Sequence, residues 1–140
     1  SSAASDVYKR QVKSEYESRN IEAEVLEFFN NPEEQIKWSD FVVSRAGALS
    51  LSEITSMKKG ALMIPLPNSI DNHQYENAKK IEDMGMGILH EEDEDISYLT
   101  DKINEIIKDK KYINWKKNEL TNHLNAANEI VKHIEEYLNK

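Results

Sequence analysis

Residues 44–53 read SRAGALSLSE and directly follow an apolar pair, Val42 and Val43. The pair predicts a buried strand. Apolar side chains then recur every third residue, which predicts a helix over residues 50–59 that ends at Gly60. The stretch therefore indicates a passage from strand to helix, the place where parallel sheets bind their ligands.

The rest of the chain repeats this alternation of short strands and longer helices. Further strands are predicted within EAEVLEFF (22–29), ALMIPLP (61–67) and MGIL (86–89), and further helices after Asn31 and over 72–84, 96–108 and the last segment. Such alternation is typical of βαβ units. We therefore expect an α/β fold with a parallel sheet flanked by helices, and two adjacent loops at its ligand-binding edge.

The composition is that of an acidic globular domain of 140 residues. A formal net charge of −8 argues against nucleic acid as a partner, because contacts to phosphates need clustered Lys and Arg. The sequence has no cysteine for disulfides or thiolate metal sites, and no apolar run of the ~20 residues that span a membrane. The chain opens with Ser1 in a small, polar stretch that we expect to be a truncation boundary.

Two interpretations fit Ser50 and Glu53. Ser-x-x-Glu is the pattern of a capping box, in which each side chain binds a free backbone N–H at the start of a helix. The same geometry also suits a ligand: Gly47 permits a tight turn, the first helical N–H groups bind phosphate oxygens, and a carboxylate accepts the hydroxyls of a ribose. The spacing alone leaves both open.

The loop before the next helix has the same ambiguity. Asp71 and Gln74 also match a capping box, with Asp71 as the N-cap. Gln74 and Asn77 lie three residues apart, so they share one helix face, and their amides suit a neutral polyol such as a sugar.

Other polar features have plainer interpretations. The four histidines (73, 90, 123 and 133) lack the spacing of metal ligands, and we expect each to be exposed. The acidic run 91–95 predicts a solvated loop whose Asp95 caps the next helix, and KDKKYINWKK (108–117) predicts a linker rather than a membrane-binding surface. No catalytic triad, paired-carboxylate set or metal cluster is visible in the sequence, so we predict no catalytic residue, cofactor or metal.

The last segment carries a seam of apolar residues, spaced alternately by three and four, that predicts a long amphipathic helix. Its members are Leu120, Leu124, Ala127, Val131, Ile134 and Leu138. The helix either packs on its own domain or on another one, or it pairs with a partner. In the last case the chain would be a non-enzymatic interaction module.

SDFVVSRAGALSLSEI (39–54) together with ALMIPLPNSIDNHQYENA (61–78) resembles the carboxy-terminal domain of the bacterial MurG family, over about residues 22–89 and more loosely to the end. The members of this family are UDP-N-acetylglucosamine transferases that convert lipid I to lipid II in peptidoglycan synthesis. The resemblance implies one of the two Rossmann-like domains of a GT-B glycosyltransferase, and it implies that residues 21–110 bind the UDP-sugar. Residues 1–20 would be a lead-in and 111–140 the terminal helix.

The resemblance also implies roles for individual residues. The backbone near Phe29 would meet the uracil ring, and Glu53 would accept the ribose hydroxyls. Gln74 would contact the N-acetylglucosamine. The diphosphate and sugar would lie along the start of the helix, at Ala48, Leu49, Ser50, Leu51 and Ser52.

By the same resemblance, the reaction is an inverting transfer from UDP-N-acetylglucosamine to a lipid-linked MurNAc-pentapeptide, at the cytoplasmic face of the bacterial inner membrane with peripheral membrane contact. Two parts of the family pattern are missing from this sequence. One is the amino-terminal domain, which binds the acceptor and supplies the proposed base, and the other is the Gly-rich phosphate loop. We therefore expect little transferase activity from this chain alone.

The alternative enzymes are a glycolipid synthase or the soluble subunit of a two-piece transferase. A non-catalytic nucleotide-sugar-binding module is the other alternative.

Overall fold

The structure is a computed structural model that describes the backbone of residues 2–139 and the side chains of residues 6–117, 128 and 130–139. The chain divides into two compact units, one reaching to Gln35 and the other beginning at Ile36. None of its described helices is both long enough and apolar enough to cross a membrane.

The first unit contains helix α1 (Ser2–Ser18) and the beginning of helix α2 (Pro32–Trp38). The side-chain oxygen of Asn31 accepts the backbone N–H of Glu34 at 3.4 Å, so the predicted N-cap is confirmed. The predicted strand within residues 22–29 is wrong, because this segment has no regular secondary structure. Its backbone makes no ladder hydrogen bonds to the described residues, and a strand exists only through pairing with a neighbour.

The second unit is built on a three-stranded parallel sheet in the order β1 (Val42–Ser44), β2 (Ala61–Met63) and β3 (Gly87–Leu89). The predicted α/β fold is therefore confirmed. Only the central strand is fully buried. In β1, Val43 is 49% exposed because this strand lies at an edge of the described sheet, so the expectation of a buried strand there is wrong.

Helices cover both faces of the sheet. On one face, helices α3 (Ala48–Ser56) and α4 (His73–Asp83) pack on the side chains of Ala61 and Met63. On the other face, Leu62 meets helices α5 (Ile96–Lys108) and α6 (Lys111–Leu138). Successive side chains of β2 therefore point to opposite faces of the sheet and pack in two separate cores, as the two-residue period of a strand requires.

Helix α3 begins two residues earlier than predicted. Its N-cap is Gly47, which has φ −64° and ψ 142°, and no side chain caps it. Ser50 consequently lies inside the first turn, so of the two interpretations of Ser50 and Glu53 the capping box is wrong. The helix ends at Ser56, and Lys58, not Gly60, takes the left-handed backbone conformation that follows.

Gly60 has a packing role instead of a capping role. A Cβ atom added at this position would overlap the indole ring of Trp115 and the carbonyl oxygen of Met86. Glycine is therefore required where the chain enters β2, because Trp115 of helix α6 and the backbone of Met86, just before β3, approach it closely.

Helix α4 is not capped as predicted. Asp71 lies in a short 3-10 turn (Ile70–Asn72) with φ 51°, and the N-cap is Asn72, also left-handed with φ 58°. The hydroxyl of Ser69 accepts the N–H of Gln74 at 3.3 Å. The predicted capping box of Asp71 and Gln74 is therefore wrong, because Ser69 binds the amide and the Gln74 side chain turns elsewhere.

At the carboxy-terminal end, Asp95 caps helix α5 as predicted, by accepting the N–H of Ser97 at 2.8 Å. The predicted linker over 108–117 is wrong, because helix α6 begins at Lys111 and its Trp115 is buried against Leu62. In the predicted apolar seam of α6, the side chains at 120, 124 and 127 lie outside the described residues. The described members Val131, Ile134 and Leu138 are exposed.

Candidate functional site

The three strands end level with one another, since Ser44, Met63 and Leu89 are in register. The loops that follow them therefore start side by side. Arg45, in the loop after β1, connects the three loops. Its guanidinium donates to the carbonyl oxygen of Ile64, directly after β2, at 3.3 Å and to the carboxylate of Glu92, in the loop after β3, at 2.7 Å. The predicted meeting of adjacent loops at the carboxyl edge is thus confirmed.

Two side chains of helix α4 form hydrogen bonds to the loops that follow β1 and β2. The side-chain oxygen of Gln74 accepts the N–H of Leu66 at 2.9 Å and the N–H of Ala46 at 3.3 Å. The amide nitrogen of Asn77 donates to the carbonyl oxygen of Ala46 at 3.1 Å. Both backbone polar groups of the buried Ala46 are satisfied in this way, and the loop that leads into helix α3 is held against α4.

These contacts fix the orientation of the Gln74 amide. Because two backbone N–H groups point at one of its terminal atoms, that atom must be the acceptor oxygen. The amide nitrogen then faces away from both loops, and it has no hydrogen-bond partner among the described side chains and backbone groups. Gln74 therefore keeps two donor hydrogens for a ligand.

The first turn of helix α3 offers unpaired backbone donors. The N–H of Leu51 binds the carbonyl oxygen of Gly47 at 3.0 Å, whereas the N–H groups of Ala48, Leu49 and Ser50 precede the helical hydrogen-bond ladder. No side chain occupies them. The helix dipole adds a partial positive charge, so this turn is chemically suited to bind an anion.

Gly47 leaves the approach to these donors open. Its φ of −64° is available to any residue, so the predicted need for glycine's backbone freedom is wrong. A Cβ atom built at Gly47 would meet no heavy atom within 4 Å. Neither backbone conformation nor internal packing excludes a side chain here, and the space beside this position is open.

Glu53 lies one turn further along helix α3. Its position follows Leu49 by four residues and Ser50 by three, so all three share one helix face. The side chain is exposed, and its carboxylate has no hydrogen-bond or ion-pair partner within the described part of the chain. It makes no capping bond, so both oxygens remain available to a ligand.

The other predicted site residues lie in different surroundings. Leu49 is 83% exposed, and Ala48 and Ser52 are also exposed. Leu51 is only 4% exposed and packs in the core, so it can offer a ligand no more than its backbone. Phe29 belongs to the first unit, in the irregular segment before α2, and its role remains a prediction.

A groove of about 320 Å³ lies between the loops after β2 and β3. It is lined by Pro65, Leu66, Pro67, Asn72, Tyr75, Glu91, Glu92 and Asp93. Its carboxylates would repel a diphosphate, so the groove does not compete with the first turn of α3 for an anion. The α3 surface is open rather than enclosed.

The sequence patterns did not predict that Arg45 binds a neighbouring loop, or that Asn77, considered above as a sugar-binding amide, donates to the backbone of Ala46. His90 is buried, so the expectation that it is exposed is wrong. His73 and His133 are exposed as predicted, and His123 lies outside the described side chains. A usable signal existed for Arg45, because a charged residue directly after a strand of a parallel sheet lies at the edge where the loops meet.

Among solved structures, the chain is similar to the crystal structure of Acinetobacter baumannii MurG, with a TM-score of 0.66, 24% sequence identity, and coverage of 71% of this chain and 29% of that one. This likeness supports the same fold. Within the described residues, no three His, Asp or Glu side chains are grouped as metal ligands would be.

In sequence, the chain is similar to proteins named UDP-N-acetylglucosamine--N-acetylmuramyl-(pentapeptide) pyrophosphoryl-undecaprenol N-acetylglucosamine transferase. The one from Rickettsia bellii is 44% identical over 105 residues, which are 74% of this chain and 29% of that protein. The one from Wolbachia pipientis subsp. Culex pipiens is 46% identical over 82 residues, which are 59% of this chain and 24% of that protein. The chain thus spans less than a third of the length of these relatives.

The profile of the glycosyltransferase family 28 C-terminal domain matches residues 4–135, which is nearly the whole chain. The match includes the three strands and the loops at their carboxyl edge. The chain therefore belongs to the glycosyltransferase family 28 C-terminal domain family.

Proposed function

We propose that this chain is the donor-binding part of an inverting N-acetylglucosaminyltransferase, and that it binds UDP-N-acetylglucosamine at the start of helix α3. The observation that carries the proposal is the combination of free N–H groups at Ala48, Leu49 and Ser50 with the unpaired carboxylate of Glu53 on the same helix face. A nucleoside diphosphate presents the complementary groups, an anion and a diol.

The diphosphate binds the first turn of α3. One favourable charge at a helix end contributes only about 0.3–1 kcal/mol, so the binding depends on several N–H groups acting together. The open space above Gly47 lets phosphate oxygens approach the backbone closely. In the transfer reaction the same donors stabilise the negative charge that grows on the departing UDP, without a metal.

Glu53 binds the ribose. Its two oxygens accept one hydrogen bond from each hydroxyl, and each such charge-assisted bond contributes roughly 1.5–3 kcal/mol. The sugar lies near Gln74, whose free amide nitrogen donates to a hydroxyl of N-acetylglucosamine.

In the whole protein, the acceptor is lipid-linked MurNAc-pentapeptide. Its hydroxyl at carbon four attacks the anomeric carbon, the bond to the diphosphate breaks, and UDP leaves with inversion. No side chain of this chain is proposed as the base that takes the hydroxyl proton. The reaction is proposed to occur at the cytoplasmic face of the bacterial inner membrane, through peripheral contact. The names of the similar proteins support this assignment of donor and acceptor.

Calorimetric titration tests the donor assignment. We expect UDP to bind the chain, UDP-N-acetylglucosamine to bind more tightly than UDP-glucose or UDP-galactose, and uridine without phosphates to bind at least about tenfold more weakly than UDP. Equal binding of the three UDP-sugars would overturn the sugar assignment, and no binding of UDP would overturn the proposal.

A further inference from the structure

Asn77 lies on helix α4 and binds the backbone of the loop that leads into helix α3. Its side chain is 3.1 Å from the carbonyl oxygen of Ala46. A carbonyl oxygen can only accept, so the Asn77 atom that faces it is the amide nitrogen. The direction of the Ala46 carbonyl is therefore set by a residue on a neighbouring helix.

Ala46 itself is held from three sides. It is fully buried and belongs to the core cluster that contains Leu51 and Ala61. Its N–H donates to the side-chain oxygen of Gln74 at 3.3 Å, and its carbonyl oxygen accepts from Asn77. The peptide bond that follows Ala46 consequently has a defined orientation.

This peptide bond carries the N–H of Gly47. The bond is planar and trans, so the Ala46 carbonyl and the Gly47 N–H point in opposite directions. Because the carbonyl points to Asn77, the Gly47 N–H points away from it. This N–H has no hydrogen-bond partner among the described residues.

Gly47 is the N-cap of helix α3, and a helix leaves four backbone N–H groups unpaired at its start. Three of them belong to Ala48, Leu49 and Ser50, which the proposed function assigns to the diphosphate. The N–H of Gly47 is the fourth. The space beside Gly47 is open, since a Cβ atom there would meet no heavy atom within 4 Å.

We propose that Asn77 is a positioning residue of the donor site, which orients the Gly47 N–H toward the diphosphate by binding the Ala46 carbonyl. Asn77 does not touch the ligand in this arrangement and acts only through the Ala46–Gly47 peptide. The inference rests on the proposed function, because its ligand is the diphosphate of the UDP-sugar. It adds a fourth backbone donor to the three already assigned.

The glycine amides test this role, since the sequence has only four glycines. Isotope labelling of glycine alone in the whole chain gives one NMR signal for each. We expect UDP to shift the Gly47 signal and uridine, which has no phosphate, to leave it in place. Gly60, Gly85 and Gly87 are the internal controls, because they lie at the opposite, amino edge of the sheet.

Two substitutions at position 77 separate positioning from folding. Leu is uncharged and close to Asn in shape but cannot donate, whereas neutral His carries a ring nitrogen at the same bond distance from the backbone. At about pH 8, where an ordinary histidine is neutral, we expect Asn77→Leu to bind UDP about tenfold more weakly and Asn77→His to bind it as the wild type does. Uridine affinity should be unchanged in both variants, which a general loss of folded protein would not allow.

Three results would overturn the inference and spare the proposed function. They are UDP binding that leaves the Gly47 signal in place, wild-type UDP affinity in Asn77→Leu, and equal weakening in the Leu and His variants. The wild-type glycine titration needs no variant, so it decides the matter even where Asn77→Leu does not fold. Absence of UDP binding by the wild type would instead overturn the proposed function, and this inference with it.

Discussion

Gln74 binds the backbone of Ala46 across the gap between helix α4 and the loop that leads into α3, with its side-chain oxygen 3.3 Å from the Ala46 nitrogen. The same oxygen accepts the N–H of Leu66 at 2.9 Å. One side chain thus connects the loops after β1 and β2 and also presents a free amide nitrogen. The structural role is observed, and the proposed contact with the sugar uses the nitrogen of the same side chain.

Gln74 substitutions separate these two roles. Gln74→Leu leaves the N–H of the buried Ala46 unpaired, and we expect it to lower the free energy of unfolding by roughly 1–3 kcal/mol. Gln74→Glu keeps an acceptor for both N–H groups but loses the donor, so stability should be kept while the preference for UDP-N-acetylglucosamine over UDP falls. Denaturant unfolding and calorimetry measure the two effects. An equal loss of stability in both variants would contradict the assigned geometry.

Gly47→Ala tests the open approach to helix α3. The added methyl meets no atom of the chain within 4 Å, so the free energy of unfolding should change by less than about 1 kcal/mol. If phosphates bind at this turn, the methyl obstructs them, and UDP affinity should fall about tenfold or more. Thermal unfolding and titration with UDP are the measurements. Wild-type UDP affinity in this variant would show that the ligand does not approach here.

Glu53→Gln tests the ribose contact. Because Glu53 has no partner among the described residues, its replacement should leave the melting temperature nearly unchanged. Loss of charge-assisted bonding should weaken UDP binding about tenfold. Asp101→Asn, which neutralises an exposed carboxylate on helix α5, is the matched control and should bind UDP as the wild type does. A similar weakening in both variants would point to general charge rather than to this contact.

Glu94 gives the fold a predictable response to acid. The backbone N–H of Glu91 and then the Lys102 ammonium hold the pKa of Glu94 below its ordinary value of 4.5. Because the folded-state pKa is lowered, this stabilisation is complete above the unfolded-state pKa and is lost as the pH falls through the folded-state pKa.

Glu94→Gln should therefore be less stable than the wild type at about neutral pH and should lose less stability between about pH 5 and pH 3. Denaturant unfolding over this pH range measures the difference. Parallel curves for the two proteins would show that Glu94 does not contribute in this way.

The sequence predicted the elements whose signals are local. The apolar spacing in helix α5 and the Asp95 cap were identified correctly, because both depend on residues within one or two turns. The three strands of the second unit were also located, each between turn-forming residues.

The errors concern features that depend on distant parts of the chain. A strand within residues 22–29 needs a pairing partner. Helix α3 begins at Ala48 with Gly47 as its N-cap, although Ser50 matches a capping pattern. The bonds of Arg45 and Gln74 to other loops, and the burial of His90, arise only when the strand ends meet. In the candidate site, sequence patterns predicted an anion site at the start of α3, which stays a prediction, but they did not predict which side chains hold the neighbouring loops in place.

If UDP binds the first turn of helix α3, backbone amide NMR during a UDP titration will detect it residue by residue. We expect the largest shifts at Ala48, Leu49 and Ser50, whose N–H groups precede the hydrogen-bond ladder, with little change in helix α5. Saturable UDP binding that shifts other amides and leaves these three unmoved would contradict it.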